Sequence, residues 1–245
     1  MADSKVQFGY QDVSPADKTR LVGNVFSSVA ERYDLMNDLM SFGSHRLMKR
    51  MTVEMSGVRP DHHVLDLAGG TGDMAALFAP LVGAGGSVVL ADSNASMLEV
   101  GRDRLFNDGL TGVRFCQANG EALPFDDHHF DCATIAFGLR NFTNKSKALH
   151  ELQRVLKPGG VLLVLEFSKP VNPLVDAAYA GFQALWPGVG KVVVGEGESY
   201  RYLVESIRLH PSQQALKLMI EDANFHEVEF HNLLGGIVAI HRAVA

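Results

Sequence analysis

A chain of 245 residues, 47% hydrophobic and 20% charged, can bury one sizeable core and has the composition of neither a disordered nor a fibrous protein. A formal net charge of −6 opposes general attraction to nucleic acid, although it leaves room for a local basic patch. Cys116 and Cys132 lie in apolar strand-like runs and read as reduced, buried thiols of a cytoplasmic protein; no apolar run is long enough to span a bilayer, and residues 1–11 lack the apolar core of a secretory signal.

Along the chain, residues 18–51 carry apolar positions at mixed spacings of three and four (Val22, Val25, Phe26, Val29, then Leu35, Met36, Leu39, Met40), which predicts helices broken near Gly43. Residues 64–67 predict a strand, closed by the glycine turn at 68–72 and followed by a helix over 73–81. The alternation continues with a strand at 87–91, a helix at 95–105, strands at 113–117 and 131–137, and a helix at 146–156. The strand at 161–167 is strongly apolar, interrupted by Glu166, and its run Val161 to Leu165 does not alternate with polar residues, as expected where both faces of a sheet are covered. Strands separated by helices imply βαβ units, hence an α/β, doubly wound, mostly parallel sheet.

Past Ser168 the rhythm stops. Residues 169–198 are rich in Pro, Gly and aromatic residues and hold the sole tryptophan, Trp186. A helix at 212–223 follows, then strands at 227–233 and 236–241, joined too tightly for a crossover and therefore an antiparallel hairpin. The expected organisation is one overall domain: an N-terminal helical cap (1–60), an α/β core (61–168), a cap insertion (169–211), and a C-terminal helix and hairpin (212–245) completing the core.

Gly70-Thr71-Gly72-Asp73-Met74-Ala75 fits the loose dinucleotide fingerprint G-x-G-x-x-A, with Asp92 downstream. The flanking charges oppose that reading. Asp66 ends the first strand of the core and Asp73 opens the helix, where a pyrophosphate needs free amides and a positive helix end. A cationic ligand such as S-adenosylmethionine (SAM) suits two carboxylates better. Asp92, ending the next strand, is placed to accept both ribose hydroxyls, and Asn119 to offer its amide to an adenine edge, with Gly120 permitting close approach. As a lone feature each acid reads as a turn or helix cap; together, at successive strand ends, they mark the ligand edge of an open sheet.

Val64 to Gly72, Ala91-Asp92, Leu123-Pro124-Phe125 and Phe130-Asp131 together resemble the class I SAM-dependent methyltransferases. Tyr33 to Gly43 with His45, Phe137-Gly138-Leu139-Arg140-Asn141, Arg154 to Gly160 with Glu166-Phe167-Ser168, and Ser199 to Ile207 resemble the ubiquinone/menaquinone biosynthesis C-methyltransferase family. That resemblance implies a Rossmann-like, seven-stranded sheet and methyl transfer from SAM to a ring carbon of a polyprenylated quinol, either demethylmenaquinol or 2-polyprenyl-6-methoxy-1,4-benzoquinol. It also carries the cofactor contacts onto Thr71, Asp92, Asn119 and Gly120. A serine expected of the family is Ala136 here, and an aromatic is Met48.

The chemistry needs a base or a cation near the ring, because a phenolic hydroxyl has a pKa of roughly 10. Arg140 with Asn141 is the candidate for stabilising the oxyanion or orienting a water, and His45 the candidate base. Tyr33, Asp34, Asn37, Tyr200 and Arg208 are candidates for shaping the quinol pocket, and Asp66, Gly70, Thr71, Gly72, Asp92, Asn119, Gly120 and Ala136 for the cofactor. The histidines are scattered and offer no metal constellation. Rival readings are a nicotinamide-dependent oxidoreductase, another small-molecule or RNA methyltransferase, and a SAM-binding regulatory protein. Expected partners are the lipid-soluble quinol, a peripheral contact with the inner membrane, and a homodimer or a quinone-biosynthesis complex, with no nucleic acid.

Overall fold

The computed structural model describes residues 5–29, 38, 41, 43–193 and 197–245. Tyr33, Asp34 and Asn37, together with Met36, Met40 and Phe42, lie outside the described residues.

A short antiparallel hairpin, β1 (Val6–Phe8) and β2 (Gln11–Val13), precedes helix α1 (Pro15–Val29) and helix α2 (Ser44–Glu54). The core alternates β3 (His63–Leu67), α3 (Asp73–Val82), β4 (Ser87–Asp92), α4 (Ala95–Asn107), β5 (Val113–Gln117), β6 (Phe130–Ala136), α5 (Lys145–Val155) and β7 (Leu156–Phe167). Two helices follow, α6 (Pro173–Val193) and α7 (Gly197–Leu209), then α8 (Gln213–Asp222) and the closing strands β8 (His226–Leu233) and β9 (Val238–Val244).

The seven-stranded sheet has the order β5-β4-β3-β6-β7-β9-β8, parallel from β5 to β7 and antiparallel at β9 and β8. The strand order reverses between β3 and β6, so a crevice opens outside the carboxyl ends of those two strands. Side-chain parity divides the core. Leu65, Leu67 and Ile135 face the layer of α5 and α8, while Val64, Cys132 and Leu163 face α2, α3 and α4.

The sheet pattern at 63–167 follows the expected one closely. Three differences have physical causes. Strand β7 begins at Leu156 rather than Val161 because Leu156 pairs with Phe130 across a register shift. The hairpin at residues 6–13 was not expected, since a polar two-strand ribbon has no apolar alternation to reveal it; Phe8 anchors it by stacking on Tyr202 at 4.4 Å. The segment after Ser168 folds as two helices despite its Gly and Pro content, because Trp186, Tyr200, Leu203 and Ile207 form a separate small core between them.

Candidate active site

The crevice at the switch point is bordered by two residues with left-handed backbone that are not glycine. Ala68 follows β3 with φ 55°, and Phe137 follows β6 with φ 56°. Such conformations cost of order 1–3 kcal/mol each and persist where surrounding structure enforces them. Both residues line a cavity of about 1330 Å³ with mixed polar and apolar walls.

This cavity is walled by Gly70 and Leu67 from the β3 side, by Asp92, Ser93 and Asn94 after β4, by Asn119, Gly120 and Glu121 after β5, and by Gly138 and Asn141 after β6. Helix α1 roofs it with Thr19, Val22, Gly23 and Phe26. Bonds from Asn94 and Lys18 hold that roof. Asn94 donates from Nδ2 to the Gly23 carbonyl (2.9 Å) and to Ser27 Oγ (3.0 Å), and the buried Lys18 donates from Nζ to the Phe142 carbonyl (3.0 Å). Burial, aided by the charge of Lys145, pushes the Lys18 ammonium down to about 8.

Asp92 accepts the Gly70 amide (3.0 Å) on one oxygen and the Asn94 amide (2.9 Å) on the other. Burial raises its pKa above the ordinary carboxylate value, against the lowering effect of those amides. Together with the Ser93 amide, these donors leave lone-pair capacity on the carboxylate for a ligand hydroxyl. Asn119 accepts the Glu121 amide on Oδ1 (2.9 Å), which leaves its NH2 as the end available to a ligand. Gly120 does line the cavity, but the close approach it permits is that of Phe142, whose ring occupies the space a Cβ would need.

Asp66, Thr71, Gly72 and Ala136 do not line this cavity, contrary to expectation. Parity is the reason for two of them: Asp66 and Ala136 share the sheet face that packs on α3, opposite to Leu67. Asp66 is fully buried and accepts the Ala75 amide (3.1 Å), so it anchors the first turn of α3 from behind the loop. Burial pushes its carboxyl up to about 7. Gly72 caps α3 with a left-handed backbone (φ 88°), pressed by Leu90 and Leu105. Since Ala136 stands outside the cavity, the missing serine hydroxyl removes no bond from its wall.

Asp73 also plays a different part. Burial alone would raise its pKa, but Lys49 and Arg104, each 2.6 Å away, outweigh that and hold it well below the carboxylate range. Its charge is therefore spent within the protein. The case against a pyrophosphate survives on other ground: the Asp66 carboxyl already takes an amide at the start of α3, and no Lys or Arg lines the cavity among the described residues. A carboxylate, a carboxamide and backbone groups, without a cation, make a donor set that fits SAM.

A second cavity, about 1040 Å³ and mostly apolar, adjoins the first and shares Phe26, Phe137 and Asn141 with it. It is lined by Val25 of α1, Met48 of α2, Phe167 of β7, Tyr179, Phe182 and Trp186 of α6, Tyr202 and Leu203 of α7, and Leu234 and Ile237 near the closing strands. Its polar lining includes His45, Arg140 and Asn141, the three candidate catalytic residues, which the fold brings to one wall system.

His45 is buried, with Nδ1 2.8 Å from Ser41 Oγ and Nε2 3.9 Å from an Asp73 oxygen. Burial first and the Lys49 charge second lower its pKa below the ordinary imidazole value, so it is neutral near pH 7 and able to accept a proton. Arg140 is not a free cation. Its Nη1 donates to Glu166 Oε1 (2.9 Å) and to the Phe137 carbonyl, its backbone amide donates to Glu166 Oε2 (3.1 Å), and its guanidinium sits over the Phe167 ring at 5.4 Å. Its Nε has no partner among the described residues.

Two substrate candidates stand elsewhere. Arg208 is exposed on α7, and Tyr200 is buried in the small cap core; neither lines either cavity. Sequence reading missed Glu166, Tyr179 and Tyr202. Glu166 could have been found, because a lone acid inside an otherwise apolar buried strand requires a buried partner.

The family model described as "ubiE/COQ5 methyltransferase family" matches residues 13–245. A protein of Pseudomonas putida (strain W619), named ubiquinone/menaquinone biosynthesis C-methyltransferase UbiE, is 57% identical over 99% of this chain and 96% of its own length. One of the same name from Pseudomonas paraeruginosa is 58% identical at the same coverage. Among solved structures, a SAM-dependent methyltransferase from Aquifex aeolicus superposes with a TM-score of 0.61 at 18% identity, covering 95% of this chain and 98% of that one, a likeness of fold.

Proposed function

Because the chain belongs to the ubiE/COQ5 methyltransferase family, we infer that it is a SAM-dependent C-methyltransferase acting on the ring of a prenylated quinol in respiratory quinone biosynthesis. The observation that carries this reading is the junction of a carboxylate-bearing cavity of mixed lining with a mostly apolar one at Phe26, Phe137 and Asn141. A water-soluble cofactor and a lipid-like ring need two such chambers meeting at one point.

Asp92 would hold the ribose and Asn119 the adenine, with the Gly70 and Gly138 backbones beside them. SAM supplies an electrophilic methyl group on a sulfonium. The protein's own residues then have two tasks. One is to exclude water and hold the ring carbon against that methyl, for which Phe26, Phe137 and Met48 form apolar walls; orientation of this kind can contribute roughly 7–11 kcal/mol. The other is to remove the hydroxyl proton so that the ring becomes nucleophilic. Neutral, buried His45 suits the proton acceptor, through Nδ1 or by way of Ser41 Oγ. Arg140 suits oxyanion stabilisation less than its charge implies, because Glu166 already neutralises it; its unpartnered Nε and the Asn141 amide remain as donors.

The polyprenyl tail would run along Phe167, Phe182 and Trp186 and leave beside Leu234, which both lines the apolar cavity and is 56% exposed. Val171, 67% exposed, adjoins it, its amide donating to the Gly235 carbonyl (3.0 Å), and Leu174 in the first turn of α6 is 80% exposed. No described helix is long and apolar enough to cross a membrane. A peripheral contact through this apolar rim is therefore the reading we favour for access to a bilayer-borne substrate. The direct test is to incubate the purified protein with SAM and each demethylated quinol and to weigh the products. A gain of one methyl on the ring carbon identifies the substrate, and no gain on either ring removes the reading.

A further inference from the structure

Asn141 is the polar residue common to both cavities, and what it presents there depends on which way its amide points. Tyr202 of α7, itself lining the apolar cavity, donates its hydroxyl to Asn141 Oδ1 at 3.1 Å. That bond uses the acceptor end of the amide and leaves Nδ2, with two N–H groups, as the end available to a ligand oxygen. Tyr202 in turn is clamped. Its ring stacks on Phe8 of the N-terminal hairpin at 4.4 Å and 17°, and one turn along α7 Glu205 accepts the Tyr10 amide at 3.0 Å. The hairpin thus grips α7 at two points, ahead of the α1 roof over the cofactor cavity.

We propose that Tyr202 is a positioning residue for methyl transfer: its hydroxyl locks the Asn141 amide with the donor end toward the developing ring oxyanion, and Phe8 holds Tyr202 in place to do so. This rests on the quinol methyltransferase reading. Burial pushes the Tyr202 phenol up to about 12, against a lowering effect of Arg140, so it remains a hydrogen-bond donor at neutral pH, where His45 is neutral. A donor amide fixed before the reaction stabilises charge without having to turn during it, which is where such groups gain their effect.

A double-mutant cycle tests this directly. Tyr202→Phe should lower kcat about tenfold, the scale of one lost neutral hydrogen bond, while KM for a short-chain quinol and SAM affinity stay within about threefold. In an Asn141→Ala background the same change should alter kcat less than about twofold, since its effect passes through Asn141. Phe8→Ala should show a weaker loss of the same kind. Full kcat in Tyr202→Phe, or an equal loss in both backgrounds, overturns the proposal. A readout independent of turnover separates it from failure of the functional reading: the 15N–1H side-chain amide pair of Asn141 in the protein without quinol. A well-resolved pair in the parent protein that broadens or shifts in Tyr202→Phe supports the lock, and an unchanged pair overturns it even if the enzyme proves to methylate something else.

Discussion

Replacing Glu166 by alanine should cost more stability than almost any other single change in the active-site wall. Glu166 is 1% exposed and receives three bonds: from Arg140 Nη1 (2.9 Å), from the Arg140 amide (3.1 Å) and from the Phe167 amide (2.9 Å). Its loss strands a guanidinium between Phe167 and the Phe137 carbonyl and orphans two backbone donors. Removing one partner of a buried ion pair typically costs about 3–5 kcal/mol. At about 2–4 °C per kcal/mol for a chain of this size, the melting midpoint should fall by about 6–20 °C. Glu166→Gln, which keeps an acceptor but not the charge, should fall less. The paired replacement Arg140→Met with Glu166→Leu should recover much of the loss, because two desolvated charges disappear together. Circular dichroism melts with parallel turnover measurements separate folding from chemistry. If Glu166→Ala melts within about 2 °C of the parent, a surface-like effect, the pair is not buried in solution and Arg140 keeps a free charge for catalysis. If the double variant regains stability without turnover, Arg140 serves the reaction as well as the fold.

Asp92→Ala should weaken SAM binding at least tenfold by calorimetry, the scale of about 1.5–3 kcal/mol for a charge-assisted bond; unchanged affinity would remove the ribose assignment, and tight NADH binding would revive an oxidoreductase. Asp66, raised by burial to about 7, keeps its proton in the folded state where the unfolded chain, near the ordinary value of 3.8, has lost it. Stability should therefore fall as pH rises from about 4 to 7, and melts of Asp66→Asn should lack that part of the slope; identical slopes would refute the shift. Val171→Glu with Leu174→Glu, at exposed positions that line neither cavity, should reduce sedimentation with vesicles of anionic phospholipid and slow turnover of a long-tailed quinol in them, while a short-tailed quinol in solution is turned over at the parent rate. Loss with both substrates would mean that the rim closes the active site rather than meeting lipid.

The amino-acid order by itself determined the sheet and which polar residues stand at the carboxyl edge of its parallel strands. Runs such as Val161 to Leu165 declare themselves as strands by unbroken apolar content, and the tight spacing of the last two strands forces an antiparallel pair. Asp92 and Asn119 were legible because an acid and an amide at successive strand ends must share the edge where parallel strands finish. What lies beside that edge was decided only in three dimensions. Whether Asp66 or Leu67 faces the ligand is set by strand parity against the layer of α3, a property of packing rather than of motif. That Asp73 and Arg140 spend their charges on Lys49, Arg104 and Glu166 depends on contacts between residues 24, 31 and 26 positions apart, for which local sequence has no signature. The same holds for Tyr202, whose 61-residue reach to Asn141 exists because the small core of Trp186, Tyr200, Leu203 and Ile207 folds α6 and α7 over the carboxyl ends of the strands. Local order fixes which groups can do chemistry, while long-range burial fixes which of them are free to do it.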